Sequence, residues 1–574
     1  MSDLVARRPG EVPREVSGAP VRLVMSADAR AMQIGLALAG LFLAGALVVP
    51  LALLLWRSFE GPDGTFVGLA NYITYLSTPS LASSIWNSVW TAGITAIIVV
   101  PAAFLYAYAL QRSCIPLKPV FRAIALLPIL APSLLPALSL IYLFGNQGML
   151  SPLIGGSIYG PWGIVVAQVF YTLPHAILIL GVALSAADAR LFEAADVLKA
   201  SRGRILRTVT LPATRFGLVS SVVVVFTLVV TDFGIPKVIG GQFNVLATDV
   251  YKQVVGLQNF NMGAVVGMLL LVPAIGAYLL ESWAQKRQSA AFSGRAVPYT
   301  PMPRTPRDLP LLAFCTVVSL LLVGVVAVAV WGSLIKFWPY NLTLTLENYD
   351  FGRFDSSGWA SFLVSLKMSA AAAVIGSVLV FVVAYLLDRG PKGGVLPPLV
   401  RLATTLPLAV PGLVLGLAYI LFFNQPGNPL GFMYATLGIL VLNSVTHFYT
   451  VCHLTATAAI RQLDAEFEAV GASLQVPVWV TFWRVTLPIC LPAILEIAIY
   501  LFVNTMTTVS AVIFLYGPDT KPASVAVVHM DEAGQASAAA GMAVVILGAN
   551  MIAKIGQLGV GAVVDRFTQG WRRR

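Results

Sequence analysis

The stretch DARLFEAADVLKASRGRILRTVTLP, residues 188–212, returns as DAEFEAVGASLQVPVWVTFWRVTLP at residues 464–488. Asp188, Leu191 and Leu211-Pro212 of the first fall on Asp464, Phe467 and Leu487-Pro488 of the second at one offset, 276. Each stretch opens on an aspartate, a good helix N-cap. Behind it Leu191, Ala194, Ala195 and Leu198 lie at i, i+3, i+4 and i+7, one face of a helix. Phe467, Val470, Gly471 and Leu474 repeat that spacing. A helix resting on lipid headgroups would carry bulky side chains throughout its apolar face. The small centres, Ala194-Ala195 and Val470-Gly471, instead suit close approach by another protein.

The recurrence extends outward from this pair. Asn71-Tyr72 returns as Asn348-Tyr349, Ser88 as Ser365, Ala107-Tyr108 as Ala384-Tyr385 and Arg112 as Arg389, all at an offset of 277. Leu127-Pro128 and Pro132 return as Leu406-Pro407 and Pro411 at 279. A nearly constant offset through loops and apolar runs alike means that one unit has been duplicated.

Composition places both units in a bilayer. Of 574 residues 58% are hydrophobic and 11% charged, against roughly 25% charged in soluble domains. A hydrocarbon core of about 30 Å takes roughly 20 apolar residues in helix. About twelve such runs are present, near 34–56, 86–110, 121–144, 160–186, 211–235 and 261–283, then 308–335, 359–387, 396–423, 431–460, 487–515 and 536–564. The chain therefore divides into a tail (1–33), a first half (34–284), a polar, basic, proline-rich linker (285–307), a second half (308–565) and a basic tail (566–574). Six spans separate equivalent points, so the halves run in the same direction, as parallel repeats about an axis along the membrane normal.

The net charge of +11 lies in short segments between apolar runs and predicts membrane orientation rather than a nucleic-acid partner. Arg112, Lys118 and Arg122, then Arg190, Lys199, Arg202, Arg204 and Arg207, alternate with loops poor in Lys and Arg. Both termini and the linker are accordingly expected in the cytoplasm. Cys114, Cys315, Cys452 and Cys490 are scattered without a CxxC pair and read as free thiols.

Glu193-Ala194-Ala195, eighteen residues before Leu211-Pro212, resembles the EAA loop of permeases in binding-protein-dependent ABC importers. The resemblance covers nearly the whole chain. It implies an all-α integral membrane protein, with about 12 transmembrane helices as two parallel six-helix repeats, the type I importer permease fold, in a bacterial inner membrane. It also implies that each loop is a coupling helix seated in a groove of a cytosolic ATPase subunit, two copies in all, with a periplasmic or tethered solute-binding protein outside. Two departures stand out. The family usually has Gly six residues after the Glu, where this chain has Lys199 and Gln475. In the second copy strict register puts Ala469 at the Glu position, with Glu468 one residue earlier. The fused form is similar to permeases of the ferric-iron, thiamine and phosphonate group. The stretches LDAEFEAVGASLQVPVWVTFWRVTLPICLPAIL, FVNTMTTVSAVIFLYGPDTKPASVAV and MDEAGQASAAAGMAV resemble a permease assigned to 2-aminoethylphosphonate uptake.

No GxxxxGK[ST] loop and no catalytic constellation occur, so ATP hydrolysis is expected in a separate subunit and no cofactor in this one. For the solute path, polar groups inside spans raise a functional expectation. Asp232 at the end of the fifth run, and Asn504, Thr505, Thr507 and Thr508 at its counterpart, are the candidates, with hydrogen bonding between helices as the competing role. His175, His447 and His453 are expected on different faces without nearby acids, which is not a metal-ligand set. An ion-coupled carrier, the competing class, would use several intramembrane charges, and only Asp232 and Glu496 are candidates. Ferric iron, thiamine and polyamines are the alternative cargoes.

Overall fold

The computed structural model describes residues 27–568 apart from 154, 292–296, 298, 392 and 465. Residues 1–26 of the expected N-terminal tail and 569–574 of the C-terminal one therefore lie outside the described residues.

Among the described residues nine helices are long and apolar enough to cross a membrane, or up to 12 spans if each bent pair is one. The unbroken spans of the first half are Ala27–Arg57, Pro79–Arg112, Pro161–Ser185, Arg202–Thr231 and Phe260–Ala284. Those of the second are Thr305–Ser333, Trp359–Arg389, Val478–Thr507 and Ala536–Val564. The third span of each half departs from a simple kinked helix. Lys118–Leu130 meets Leu134–Phe144 at 98°, and Leu396–Ala409 meets Gly412–Phe423 at 114°. The break falls at Pro132 and at Pro411, which remove a helical donor and crowd the preceding turn. The tenth span is also bent, by 57° between Leu437–His447 and Tyr449–Arg461.

The fifth span of each half starts earlier than its apolar run and ends sooner, at Thr231 and Thr507 rather than 235 and 515. In both, a five-residue π-helical turn, Leu206–Thr210 and Phe482–Thr486, immediately precedes Leu211-Pro212 and Leu487-Pro488. Widening the helix by one residue gives the proline ring room without ending the helix.

Residues matched at constant offset make matched bonds. Asn71 Nδ2 donates to the carbonyls of Ser58 (3.1 Å) and Glu60 (2.9 Å). Its counterpart Asn348 donates to those of Ser333 (3.0 Å) and Ile335 (2.6 Å). Ser88 Oγ accepts the Leu246 amide at 2.8 Å, and Ser365 Oγ accepts that of Ala523 at 2.8 Å. Arg112 and Arg389 each donate to two carbonyls closing the span ahead of the repeated loop, Leu184 and Ala187 in one half, Ile460 and Leu463 in the other. These polar side chains persist because each satisfies backbone groups that no helix partner reaches.

The halves interlock through their first spans. Met32, Leu36, Ala39 and Leu43 pack with Val380, Tyr385, Val400, Cys452 and Cys490 of the second half. Thr305–Ser333 lies in return against the first half, where Ser319 Oγ meets Tyr106 Oη at 2.9 Å and Ser139 Oγ donates to the Val325 carbonyl at 2.7 Å. Close approach depends on small residues, as expected where lipid gives no hydrophobic drive between helices. A Cβ on Gly217 would lie 2.4 Å from that of Ala183. Among the described residues two strands, Ile335–Phe337 and Asn341–Leu344, form a short antiparallel hairpin after the first span of the second half.

The stretch expected as linker is partly helical. Phe260–Ala291 carries the sixth helix past residue 285, and the next begins at Thr305.

Candidate functional site

The repeated loops form two short helices, Ala189–Val197 and Glu466–Ser473. Asp188 Oδ1 accepts the Arg190 amide at 3.1 Å and Asp464 Oδ1 that of Glu466 at 3.2 Å, so both aspartates close the first turn. Leu191 is 53% exposed and Leu198 80%, and Phe467, Val470 and Leu474 are 49%, 55% and 69% exposed. Ala194 and Glu193 are exposed as well. Two unpartnered apolar surfaces, one per half, thus stand at the basic end of the bundle. Ala195 differs from expectation, because it is buried together with Phe192. Its counterpart Gly471 is half-buried, and a Cβ there would lie 3.0 Å from Thr481 Oγ1. The small residues at this position fit the helix against its own chain, while Leu191, Ala194 and Val470 face outward. The side chains of Glu468 and Ala469 lie outside the described residues.

Lys199 and Gln475 explain why the family favours glycine after this helix. Both are left-handed, at φ 51° and 54°. Around them the Ala200 amide bonds the Ala195 carbonyl at 3.0 Å and the Val476 amide that of Gly471 at 2.9 Å, a Schellman ending. A side chain costs about 1 kcal/mol in this conformation. Replacing Lys199 or Gln475 with Gly should slow exchange of the Ala200 or Val476 amide by about fivefold. Faster exchange after the substitution would contradict this reading of the turn.

Between the halves lies a cavity of about 550 Å³. Asp232, Asn504, Thr507 and Thr508 line it, and so do Tyr171, His175, Glu281, His447 and Tyr500. Thr505 is fully buried and is not among the lining residues. Asp232 serves the backbone too: its Oδ2 accepts Gln168 Nε2 at 2.9 Å and the Ile235 amide at 3.0 Å. The competing structural role and the cavity position therefore coexist in one carboxylate. Asn504 Nδ2 donates to the Tyr500 carbonyl at 2.8 Å. Glu496 is exposed one helical turn before Tyr500, toward the basic end on the same helix face. No Lys or Arg occurs among the lining residues.

Several of these groups escaped the sequence reading. His175 and His447 were expected on different faces, yet both line the one cavity. Glu281 lies in a helix whose last turns read as linker-flanking polar sequence. A search for Tyr, His and Glu one turn apart on the inward faces of equivalent helices would have raised Tyr171, His175 and Tyr500.

Beyond the ends of the fifth spans the halves also meet directly. Lys237 Nζ lies 2.6 Å from Glu532 Oε1 and 4.8 Å from the centre of the Tyr251 ring, which stacks on Phe514 at 6.4 Å. Burial and the adjoining Glu532 carboxylate push Asp531 up to about 6.

Residues 100–290 match the family of binding-protein-dependent transport system inner membrane components. Over 478 residues the chain is 29% identical to a Haemophilus influenzae protein assigned as a ferric transport system permease, covering 80% of this chain and 74% of that one. It is 28% identical over 492 residues to a ferric transport system permease protein of Actinobacillus pleuropneumoniae, covering 82% and 70%. A thiamine transport system permease protein of Brucella abortus is 32% identical over 217 residues, 36% of this chain and 38% of that one.

Proposed function

We propose that this chain, the multi-pass inner-membrane permease subunit of an ABC importer, carries a solute with a positively charged group, and that this solute is 2-aminoethylphosphonate. The cavity between the halves carries the reading. It offers the carboxylates of Asp232 and Glu281, with Glu496 on the way to the basic end, and no cationic lining residue. An ammonium group is attracted there, whereas a bare oxyanion meets like charge. Asn504, Thr507, Thr508 and Ser510 supply hydroxyl and amide groups for the phosphonate end. Weak retention of that end suits a permease fed by a separate binding protein, and the resemblance of the second half to a 2-aminoethylphosphonate permease supports that cargo.

The halves 34–284 and 308–565 act as two arms joined by 285–307, with both termini and the linker on the cytoplasmic side. One ATPase subunit docks on Leu191, Glu193, Ala194 and Leu198, and a second on Phe467, Val470 and Leu474. Ala195 and Gly471 hold the two helices to the bundle, and the Asp caps and Leu-Pro turns orient them. Closure of the ATPase dimer draws the helices together and turns the halves outward, parting Lys237 from Glu532 beneath the solute-binding protein.

Ferric iron is the second reading, favoured by the names of two relatives that match along most of the chain. Carboxylate, phenol and imidazole groups in the cavity are suitable donors for such an ion. Uptake into proteoliposomes holding the permease, its ATPase and its binding protein separates the two. 2-Aminoethylphosphonate should be accumulated on ATP addition and ferric citrate should not, and the opposite result assigns the protein to iron.

A further inference from the structure

The two docking helices are braced differently. In the second half an acid-base clasp stands beside the helix start, whose preceding carbonyl at Leu463 accepts from Arg389. Arg389 Nε stands 3.6 Å from Asp388, which also receives Arg461 Nε at 2.9 Å. In the first half the position of Asp388 is taken by Gln111 and that of Arg461 by Ser185, so the same acid-base clasp cannot form. The chain between the halves supplies a substitute. The Arg112 guanidinium sits over the paired rings of Phe192 and Tyr299, 4.4 and 4.5 Å from their centres. Phe192 belongs to the docking helix, Tyr299 to the inter-half segment, and the two rings are 5.1 Å apart. The same segment bonds the helix start directly. The Ala189 amide donates to the Val297 carbonyl at 3.0 Å, and the Val297 amide to Asp188 Oδ1 at 3.3 Å. Cys114 Sγ donates to the Pro301 carbonyl at 3.2 Å, fixing the segment on its far side.

Tethering alone does not call for this arrangement. A tether of two arms needs only length, whereas here a buried cation, an aromatic pair and a two-bond backbone match converge on one helix. Val297, which bonds the helix start, is itself exposed, so the segment adds an apolar side chain to the surface at that helix start.

We propose that Val297 and residues 299–302 form part of the first ATPase-docking surface, with Tyr299 the positioning residue that holds the Ala189–Val197 helix through Arg112. The proposal rests on the reading of that helix as an ATPase-coupling helix. Its occupant is the ATPase subunit itself.

The test uses the complete transporter with a photo-crosslinking amino acid at Val197 or at its counterpart Ser473, both exposed. Tyr299→Ala should lower crosslinking of the ATPase at the Val197 reporter by about tenfold and leave the Ser473 reporter within about twofold. It should also raise the ATP hydrolysed per solute moved. Tyr299→Phe, which keeps the ring, should restore both readouts. Tyr299→Leu keeps apolar bulk without a ring face and should give the same half-selective loss at about threefold. Equal crosslinking at both reporters in Tyr299→Ala and Tyr299→Leu, whether unchanged or lowered together, overturns the proposal. Absence of crosslinks at both reporters in the unsubstituted protein defeats the coupling reading instead.

Discussion

Replacing Leu191 and Phe467 together with glutamate should abolish ATP-driven uptake and weaken ATPase binding by about 1000-fold. Both side chains occupy the same register, one turn into each docking helix, and about half of each is exposed. Anchors of this kind contribute about 2 kcal/mol or more when they enter a partner's pocket. Introducing a carboxylate adds the cost of burying a charge without a partner. Two such losses combine because the helices lie on separate halves with no shared neighbours. The fold should survive, since neither side chain packs in either buried cluster. Co-purification of the ATPase with the variant gives the direct measurement. Undiminished association would remove the docking role from both helices at once. Single substitutions should differ in size, because the first helix is braced by Tyr299 and the second by Asp388.

Asp232→Asn should lower uptake efficiency for an amine-bearing solute by about thirtyfold while basal ATP hydrolysis stays within about twofold. An ammonium group about 4 Å from a carboxylate gains about 4 kcal/mol at an effective dielectric constant near 20, and water in the cavity halves that. Asparagine keeps the shape, and one oxygen can still accept from Ile235 or Gln168, so the turn after Thr231 is retained. Comparing initial rates in proteoliposomes at equal ATPase occupancy isolates the charge. Equal uptake by the variant would show that the carboxylate only caps the backbone.

The duplication was legible because the repeated residues perform repeated tasks. Asn71 and Asn348, Ser88 and Ser365, and Arg112 and Arg389 each bind main-chain groups at the same place in their halves, so drift at those positions leaves polar groups unsatisfied. Span number was legible for the same reason that bilayer thickness fixes helix length. The breaks at Pro132 and Pro411 were legible as bends but not in size, since a proline sets where a helix yields and its neighbours set how far. Periodicity located the two short helices and put Ala195 on the outward face. A helix of three turns has two apolar edges, and Phe192 packing on Tyr299, far along the chain, decides which one turns inward. The cavity was the least legible part. Tyr171, His175 and Glu281 of the first half meet His447 and Tyr500 of the second around one cavity only when the halves close about an axis, and each alone reads as an ordinary polar residue in a long span.

Two ATPase-docking surfaces on one chain, as proposed, can be counted by native mass spectrometry of the complex purified through a tag on this chain. The expected composition is two ATPase subunits per permease chain, falling to one when either Leu191 or Phe467 alone is replaced by glutamate. A complex holding a single ATPase subunit, or none, before any substitution would contradict it.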